Sequence, residues 1–253
     1  MVIDQSDADN WQNTIISFES PHRLRDLCIS EPEPPDSREL AVQQQKFKIR
    51  LATTEDRRES ASLLIQKMYS WRGYATKPVA EEEPNRITLL AFADEHVIAT
   101  LTLGFDSEMG LLVDDMYKDK IDTLRKTGRK VCELTRLAID QNVRSKEVIA
   151  ALFHIGYIYG KNIHKATDFV IEINPRHALF YKKMLGFEDF GEEKMCPRVS
   201  APAILLRLEL DHAEKQITLF GGKKDQARGE KSLYPYFFSK RDELGITERL
   251  KKR

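Results

Sequence analysis

Val131-Cys132-Glu133-Leu134-Thr135-Arg136-Leu137-Ala138-Ile139-Asp140 opens the segment whose reading decides the fold. It is apolar and β-rich, a strand that ends in a polar loop. Ser145 then caps a helix running to about Gly160, with Val148, Leu152, Ile155 and Ile158 on or near one face. Asp168 to Ile173 reads as a buried strand. Asn174-Pro175-Arg176-His177-Ala178-Leu179-Phe180-Tyr181-Lys182-Lys183-Met184-Leu185-Gly186-Phe187 follows. Asn174 is a good N-cap, Pro175 fits the first helical position, and Gly186 closes the short helix.

Working outward, Phe47-Lys48-Ile49-Arg50-Leu51 alternates apolar and basic residues, as a half-buried strand does. Thr53-Thr54-Glu55-Asp56 has capping-box spacing and opens a helix whose apolar face includes Leu64 and Met68. Ile87 to Phe92 and Val97 to Phe105 form a hairpin around Ala93-Asp94-Glu95-His96. Residues 114–126 form a short charged helix, and Pro202 to Leu210 is the last strand. The order β-α-β-β-(α)-β-α-β-α-β is mixed α/β with one central sheet. Residues 1–45, with Glu31-Pro32-Glu33-Pro34-Pro35-Asp36, read as a flexible tail in which a weakly amphipathic stretch between Trp11 and Cys28 can dock. Residues 46–212 form the domain. Residues 213–253 are a glycine-bearing linker, the aromatic run Leu233-Tyr234-Pro235-Tyr236-Phe237-Phe238 and a charged helix; the run packs on the body by default, with a partner subunit or the wall of an acyl-chain channel as the alternatives.

The 253 residues carry 40 basic and 40 acidic side chains, a balance that argues against a dedicated nucleic-acid binder. With 41% hydrophobic residues the chain can bury a sizeable core, and no 18-residue apolar run is long enough to span a bilayer. The N-terminus lacks the regions of a signal peptide. Three distant cysteines, Cys28, Cys132 and Cys196, fit neither a disulfide framework nor a zinc site and imply a reducing cytoplasm.

Glu133 and Arg136 on the strand, His177 with Phe180-Tyr181, Leu185-Gly186-Phe187, and Cys196-Pro197-Arg198-Val199-Ser200-Ala201-Pro202-Ala203 form an ordered set. Together they resemble the N-acyl amino acid synthases of the FeeM type, a branch of the GNAT acyltransferase fold related to acyl-homoserine-lactone synthases. Tyr69-Ser70-Trp71-Arg72-Gly73-Tyr74 and Gly110-Leu111-Leu112 add to the likeness, which covers roughly residues 47–210. It implies a central mixed, mostly antiparallel sheet flanked by helices. It also implies transfer of a fatty acyl group from acyl carrier protein to the amine of an amino acid, with a phosphopantetheine thioester as donor and no other cofactor or metal. The loop Gln141-Asn142-Val143-Arg144-Ser145-Lys146 holds no glycine, whereas CoA-dependent GNAT enzymes usually place a glycine-rich turn there to approach a pyrophosphate.

An amino acid arrives as an ammonium ion and must lose a proton before attacking a thioester, so a carboxylate is needed. Glu133 is the first choice for base or ammonium anchor; its structural alternative is a solvent-facing or lysine-paired carboxylate. Backbone N–H groups of the Val131–Ile139 strand, where it splays from its neighbour, are the expected oxyanion donors. Arg136 suits a bidentate clamp on a substrate carboxylate or a structural ion pair. Three apart on a strand, Glu133 and Arg136 face opposite sides unless a bulge intervenes. Arg72 and Tyr74 can cover the acceptor, with Thr135, Asn174 and His177 as further substrate contacts. The resemblance makes Tyr181 the general acid for the leaving thiolate, against a core tyrosine under Phe187. From Gln141 to Lys183 seven Lys/Arg face three acids, and Arg144, Lys146, Lys182 and Lys183 are the expected contacts for an acidic carrier protein. The alternatives are a CoA-dependent GNAT acetyltransferase, or a non-catalytic member that binds acyl chains or a partner.

Overall fold

The computed structural model describes residues 14–21, 44–70, 73–74, 78–79, 84–141, 143, 145–227 and 229–252. In chain order the elements are β1 (Thr14–Pro21), β2 (Gln44–Leu51), α1 (Glu55–Ser70), β3 (Arg86–Ala93), β4 (His96–Phe105), α2 (Asp114–Lys126), β5 (Val131–Ile139), α3 (Lys146–Tyr157), β6 (Asp168–Ile173), α4 (Ala178–Leu185), β7 (Glu188–Cys196), β8 (Ala201–Glu209), α5 (Leu210–Phe220) and α6 (Lys240–Lys251). The strands form one sheet in the order β1-β2-β3-β4-β5-β6-β8-β7.

Only the central β5–β6 pair is parallel among these ladders; the others are antiparallel. That parallel ladder is short, matching Val131 with Asp168, Cys132 with Phe169 and Glu133 with Val170. Beyond Glu133, β5 stays on β4 as far as Ile139, and β6 stays on β8 as far as Ile173. The sheet therefore splits into a V whose apex lies at Glu133 and Val170. Backbone groups on the inner edges of the V have lost their ladder partners there, which prepares them to meet something else.

Packing around the V follows from the sequence pattern. The Ser145 hydroxyl accepts from the Val148 N–H at 3.3 Å and starts α3. Every residue from Val148 to Tyr157 is buried, so α3 is covered on all sides and not along a single stripe. It continues into a π-helical turn, Ile158–Ile163, where a Cβ on Gly160 would lie 2.6 Å from the Phe169 ring. Gly186 ends α4 in the left-handed region at φ 80°. Among the described residues no helix is long and apolar enough to cross a membrane.

Two strands differ from the sequence expectation. Thr14–Pro21, inside the segment read as a flexible tail, is an edge strand on β2 with Ile15 fully buried, and Arg249 of α6 donates to the Ile15 carbonyl. Its Glu19-Ser20-Pro21 end hid the apolar alternation. The proline-acid run lies outside the described residues. Glu188–Cys196 is the opposite edge strand, mostly exposed and acidic, so it carries no period-2 signal. Tyr117 ties it down: its hydroxyl donates to the Glu192 and Ala203 carbonyls at 2.8 and 3.0 Å.

The aromatic run near the C-terminus packs against α3 and α4. Leu233, Tyr234 and Phe237 are buried, and the Tyr234 hydroxyl donates to the Leu185 carbonyl at 2.6 Å. The Phe237 and Phe238 rings stack on His154 at 4.8 and 5.3 Å. The Phe238 N–H donates to His154 Nδ1 at 3.0 Å, which leaves Nε2 to face Glu243 at 3.4 Å as the protonated nitrogen of a neutral ring. Burial lowers the His154 pKa in the same sense.

Candidate active site

A cavity of about 500 Å³ opens at the split between β5 and β6. Its floor and walls are mostly apolar, with Ile65 from α1, Leu101 from β4, Leu134 and Leu137 from β5, Phe153 from α3, and Ile171 and Ile173 from β6. Its polar lining comprises Glu133, Thr135, Arg136, Glu172, Asn174, His177, Tyr181, Cys196 and Arg198.

Glu133 and Arg136 reach this cavity together because β5 is bulged. Thr135 pairs with Thr102 and Ala138 with Thr100, so Arg136 and Leu137 both oppose Leu101. Arg136 takes up the extra residue in the left-handed region, φ 51°, and the Thr100 hydroxyl holds its carbonyl at 2.7 Å. For a non-glycine residue that conformation costs roughly 1–2 kcal/mol. The slip in pleat turns two side chains that would face opposite sides toward one space.

Glu133 is 1% exposed. Its Oε2 accepts from the Leu112 N–H at 3.0 Å. Burial, only partly offset by the positive Arg86 and that N–H, pushes its pKa up to about 7. Neither alternative for Glu133 is found: it faces no solvent and, among the described residues, forms no lysine pair.

On the opposite wall Glu172 is gripped by Arg198, whose Nη2 reaches Oε1 and Oε2 at 2.6 and 2.7 Å. Arg198 Nη1 donates to Asp115 at 2.6 Å and to the Leu112 carbonyl at 3.0 Å. Burial opposes the charge on Arg198, yet Glu172 and Asp115 raise its pKa overall. Burial and then Glu172 keep the Cys196 thiol protonated. Neither Glu172 nor Arg198 stood out in the sequence beyond the Cys196–Ala203 stretch. The available signal was a carboxylate just before the last residue of a strand whose middle is apolar, a group that must find a partner. The Leu112 peptide carries no side-chain signal at all.

The remaining candidates divide into three groups. Thr135, Asn174, His177, Tyr181 and Tyr74 line the cavity. The Thr135 hydroxyl is buried and has no hydrogen-bond partner among the described residues. Asn174 Oδ1 accepts from the Arg176 N–H at 3.2 Å, and its Nδ2 donates to the Tyr74 hydroxyl at 3.3 Å. Tyr181 is both site and core: it borders the cavity, its ring meets Phe153, Phe180 and Phe187 edge-on, and burial raises its pKa. The basic rim is partly neutralised. Lys182 pairs with Asp189 at 2.6 Å and Lys146 sits 5.6 Å over the Tyr236 ring, while Lys183 is exposed. Arg72 and Arg144 lie outside the described residues. Among the described residues no group of three or more His, Cys, Asp or Glu side chains is placed to hold a metal ion.

Comparison with known proteins gives the family. Residues 60–209 match the family model described as N-acyl amino acid synthase FeeM. The structure is similar to that of FeeM, an N-acyl amino acid synthase from uncultured soil microbes, with 26% identity and a TM-score of 0.60 over 67% of this chain and 94% of that one. It is also similar to an N-acetyltransferase from Staphylococcus aureus Mu50 (13% identity, TM-score 0.46, 65% and 98% of the two chains). The AHL synthase LasI compares at 14% identity and a TM-score of 0.46, over 65% and 90% of the two chains. A search of curated proteins gives no match. The family match spans more than half of the sequence, and the chain belongs to the FeeM family of N-acyl amino acid synthases, built on the GNAT acyltransferase fold.

Proposed function

We propose that this chain moves a long-chain fatty acyl group from the phosphopantetheine arm of an acyl carrier protein to the amine of an amino acid, with no further cofactor. The observation that carries this reading is Glu133, a buried carboxylate with a pKa near 7 at the apex of a split sheet, inside a largely apolar cavity. A base tuned to the working pH is the group an incoming ammonium ion needs.

The steps follow from the arrangement. Glu133 takes a proton from the ammonium, directly or through a water. The freed nitrogen lone pair attacks the thioester carbonyl carbon, and the oxygen takes up the displaced electron pair. Backbone N–H groups of β5 past Glu133, facing the gap that β6 leaves, donate to this oxyanion. Collapse breaks the C–S bond. Tyr181, held protonated by burial, gives the thiolate a proton; the nitrogen's second proton and the one on Glu133 leave to solvent, and Tyr181 regains its proton from there. Arg136 clamps the acceptor carboxylate through two parallel hydrogen bonds. Thr135, Asn174 and His177 position the substrates, Tyr74 borders the acceptor, and Arg72, outside the described residues, is assigned to acceptor binding by its sequence motif alone. The apolar walls hold the acyl chain.

Arg144, Lys146, Lys182 and Lys183 meet the acidic carrier, with Lys183 contributing most because Lys182 already has a partner. Two buried free cysteines, Cys132 and Cys196, support a reducing cytoplasm as the compartment. The test is to express the protein in a bacterium, extract the lipids and weigh them. New N-acyl amino acids that vanish in Glu133→Gln are expected; an unchanged lipid profile would contradict the reading.

A further inference from the structure

The Leu112 peptide links two parts of the cavity that the reaction described above does not connect. Its N–H points at Glu133 Oε2, 3.0 Å away, and its carbonyl receives Arg198 Nη1 at 3.0 Å. Arg198 comes from the turn after β7, and its other contacts are Glu172 on β6 and Asp115 on α2. One guanidinium thus ties Glu172 and Asp115 to the carbonyl of Leu112, the residue whose own N–H, in the preceding peptide group, meets the base. An arginine held by two carboxylates and a carbonyl is rigid.

We infer that Arg198 is a positioning residue for the transfer: held by Glu172 and Asp115, it fixes the Leu112 backbone against Glu133, and the Arg198–Glu172 pair sets the charge that the base faces. The inference rests on Glu133 being the base. The charged groups facing Glu133 are Arg86 from β3, Glu172 from β6 and Arg198 from the β7–β8 turn. Arg86 and Arg198 favour the carboxylate and Glu172 disfavours it. Arg136 shares the cavity from the same strand, while the nearby Cys132 and Cys196 thiols are held neutral.

The two ends of the pair have opposite signs at Glu133, and this separates a positioning role from a merely structural one. Neutralising Arg198 removes a positive charge and leaves Glu172 uncompensated, so the Glu133 carboxyl should titrate higher. Neutralising Glu172 leaves Arg198 uncompensated, so it should titrate lower. Loss of structure alone would lower activity in both without moving the profile in opposite directions.

The experiment measures the pH dependence of kcat/KM, and in parallel the carbon-13 NMR titration of the Glu133 side-chain carboxyl, assigned by its absence in Glu133→Gln. Arg198→Gln is expected to move the acid limb up, and Glu172→Gln to move it down, each by about one pH unit, the size typical of a neighbouring charge. Arg198→Lys keeps the charge but cannot bridge Glu172 and Leu112 as a fork does. It should leave the limb near its wild-type position and lower kcat roughly tenfold, the scale of a misplaced reacting group. It also provides a reading if Arg198→Gln does not fold. Shifts in the same direction, or none, would overturn the inference, as would full kcat in Arg198→Lys. If Glu133→Gln itself retains the acid limb, the assignment of the base has failed. If Glu133→Gln loses the limb and the pair variants do not move it, only the role of Arg198 and Glu172 has failed.

Discussion

Glu133 and Arg136 stand three residues apart on β5 and line the same cavity, because the Arg136–Leu137 bulge opposite Leu101 turns the strand's pleat by one position. On a regular strand the two would lie on opposite faces. The bulge is held by the left-handed backbone of Arg136 and by the Thr100 hydroxyl, and its strain is the local cost of bringing a carboxylate and a guanidinium into one cavity.

Arg136→Gly separates these two effects. Glycine adopts φ 51° without penalty, so unfolding in denaturant should show stability unchanged or raised by up to about 1 kcal/mol. The kcat/KM for the amino acid should fall at least tenfold, since the carboxylate clamp is gone. A loss of several kcal/mol would show that Arg136 is there for packing.

Glu133→Gln should lower kcat by roughly 10²-fold, the scale of a lost general base, with the fold intact. It should also reverse sign on stability. A carboxyl raised from 4.5 to about 7 by folding binds its proton more tightly in the native state. It therefore favours the native state below about pH 4.5 and loses that contribution as pH rises to 7 and beyond. The variant should outlast the wild type in thermal melts at pH 8.5, by roughly 3 kcal/mol at most from the size of the shift. The difference should shrink toward pH 5. A wild type that is the more stable at pH 8.5 would place the carboxyl in a far better solvated setting.

Much of the fold was readable because its elements carry local signals. Ser145, Asn174 and Gly186 mark helix ends by their own chemistry, and the strands from β2 to β6 show apolar patterns. The edges were not readable: β1 is half hidden by polar residues, and β7 is an acidic strand fixed by Tyr117 from α2. Within the site, Glu133 was visible as a carboxylate in an apolar run. The bulge that brings Arg136 beside it depends on the register with β4, which no local pattern encodes. Arg198 and Glu172 belong together only through tertiary contact, 26 residues apart.

The C-terminal segment should act on stability and leave chain-length preference alone. Leu233, Tyr234 and Phe237 are buried against α3 and α4, and none of them lines the cavity. Truncation after Gly222 should therefore remove several kcal/mol, since burying each such side chain contributes roughly 1.5–3 kcal/mol, and should promote aggregation. Tyr234→Phe, which loses only the bond to the Leu185 carbonyl, should cost about 1 kcal/mol. A soluble, equally stable truncated enzyme with a changed chain-length profile would contradict this.

Charge reversal at the rim should rank by existing partners. Lys183→Glu should raise KM for the carrier protein more than Lys182→Glu, because Lys182 is already neutralised by Asp189. Both effects should fade between low and physiological salt, where the screening length falls to about 8 Å. Equal, salt-independent effects would indicate contacts other than steering.

The central claim is the identity of donor and acceptor, and the most direct measurement is turnover with purified components. The enzyme is supplied with a mixture of amino acids and either long-chain acyl carrier protein, the matching acyl-CoA or acetyl-CoA, and products are identified by mass. The account predicts N-acyl amino acids formed far faster from the carrier protein than from either CoA ester. Equal or faster turnover with acetyl-CoA would contradict it.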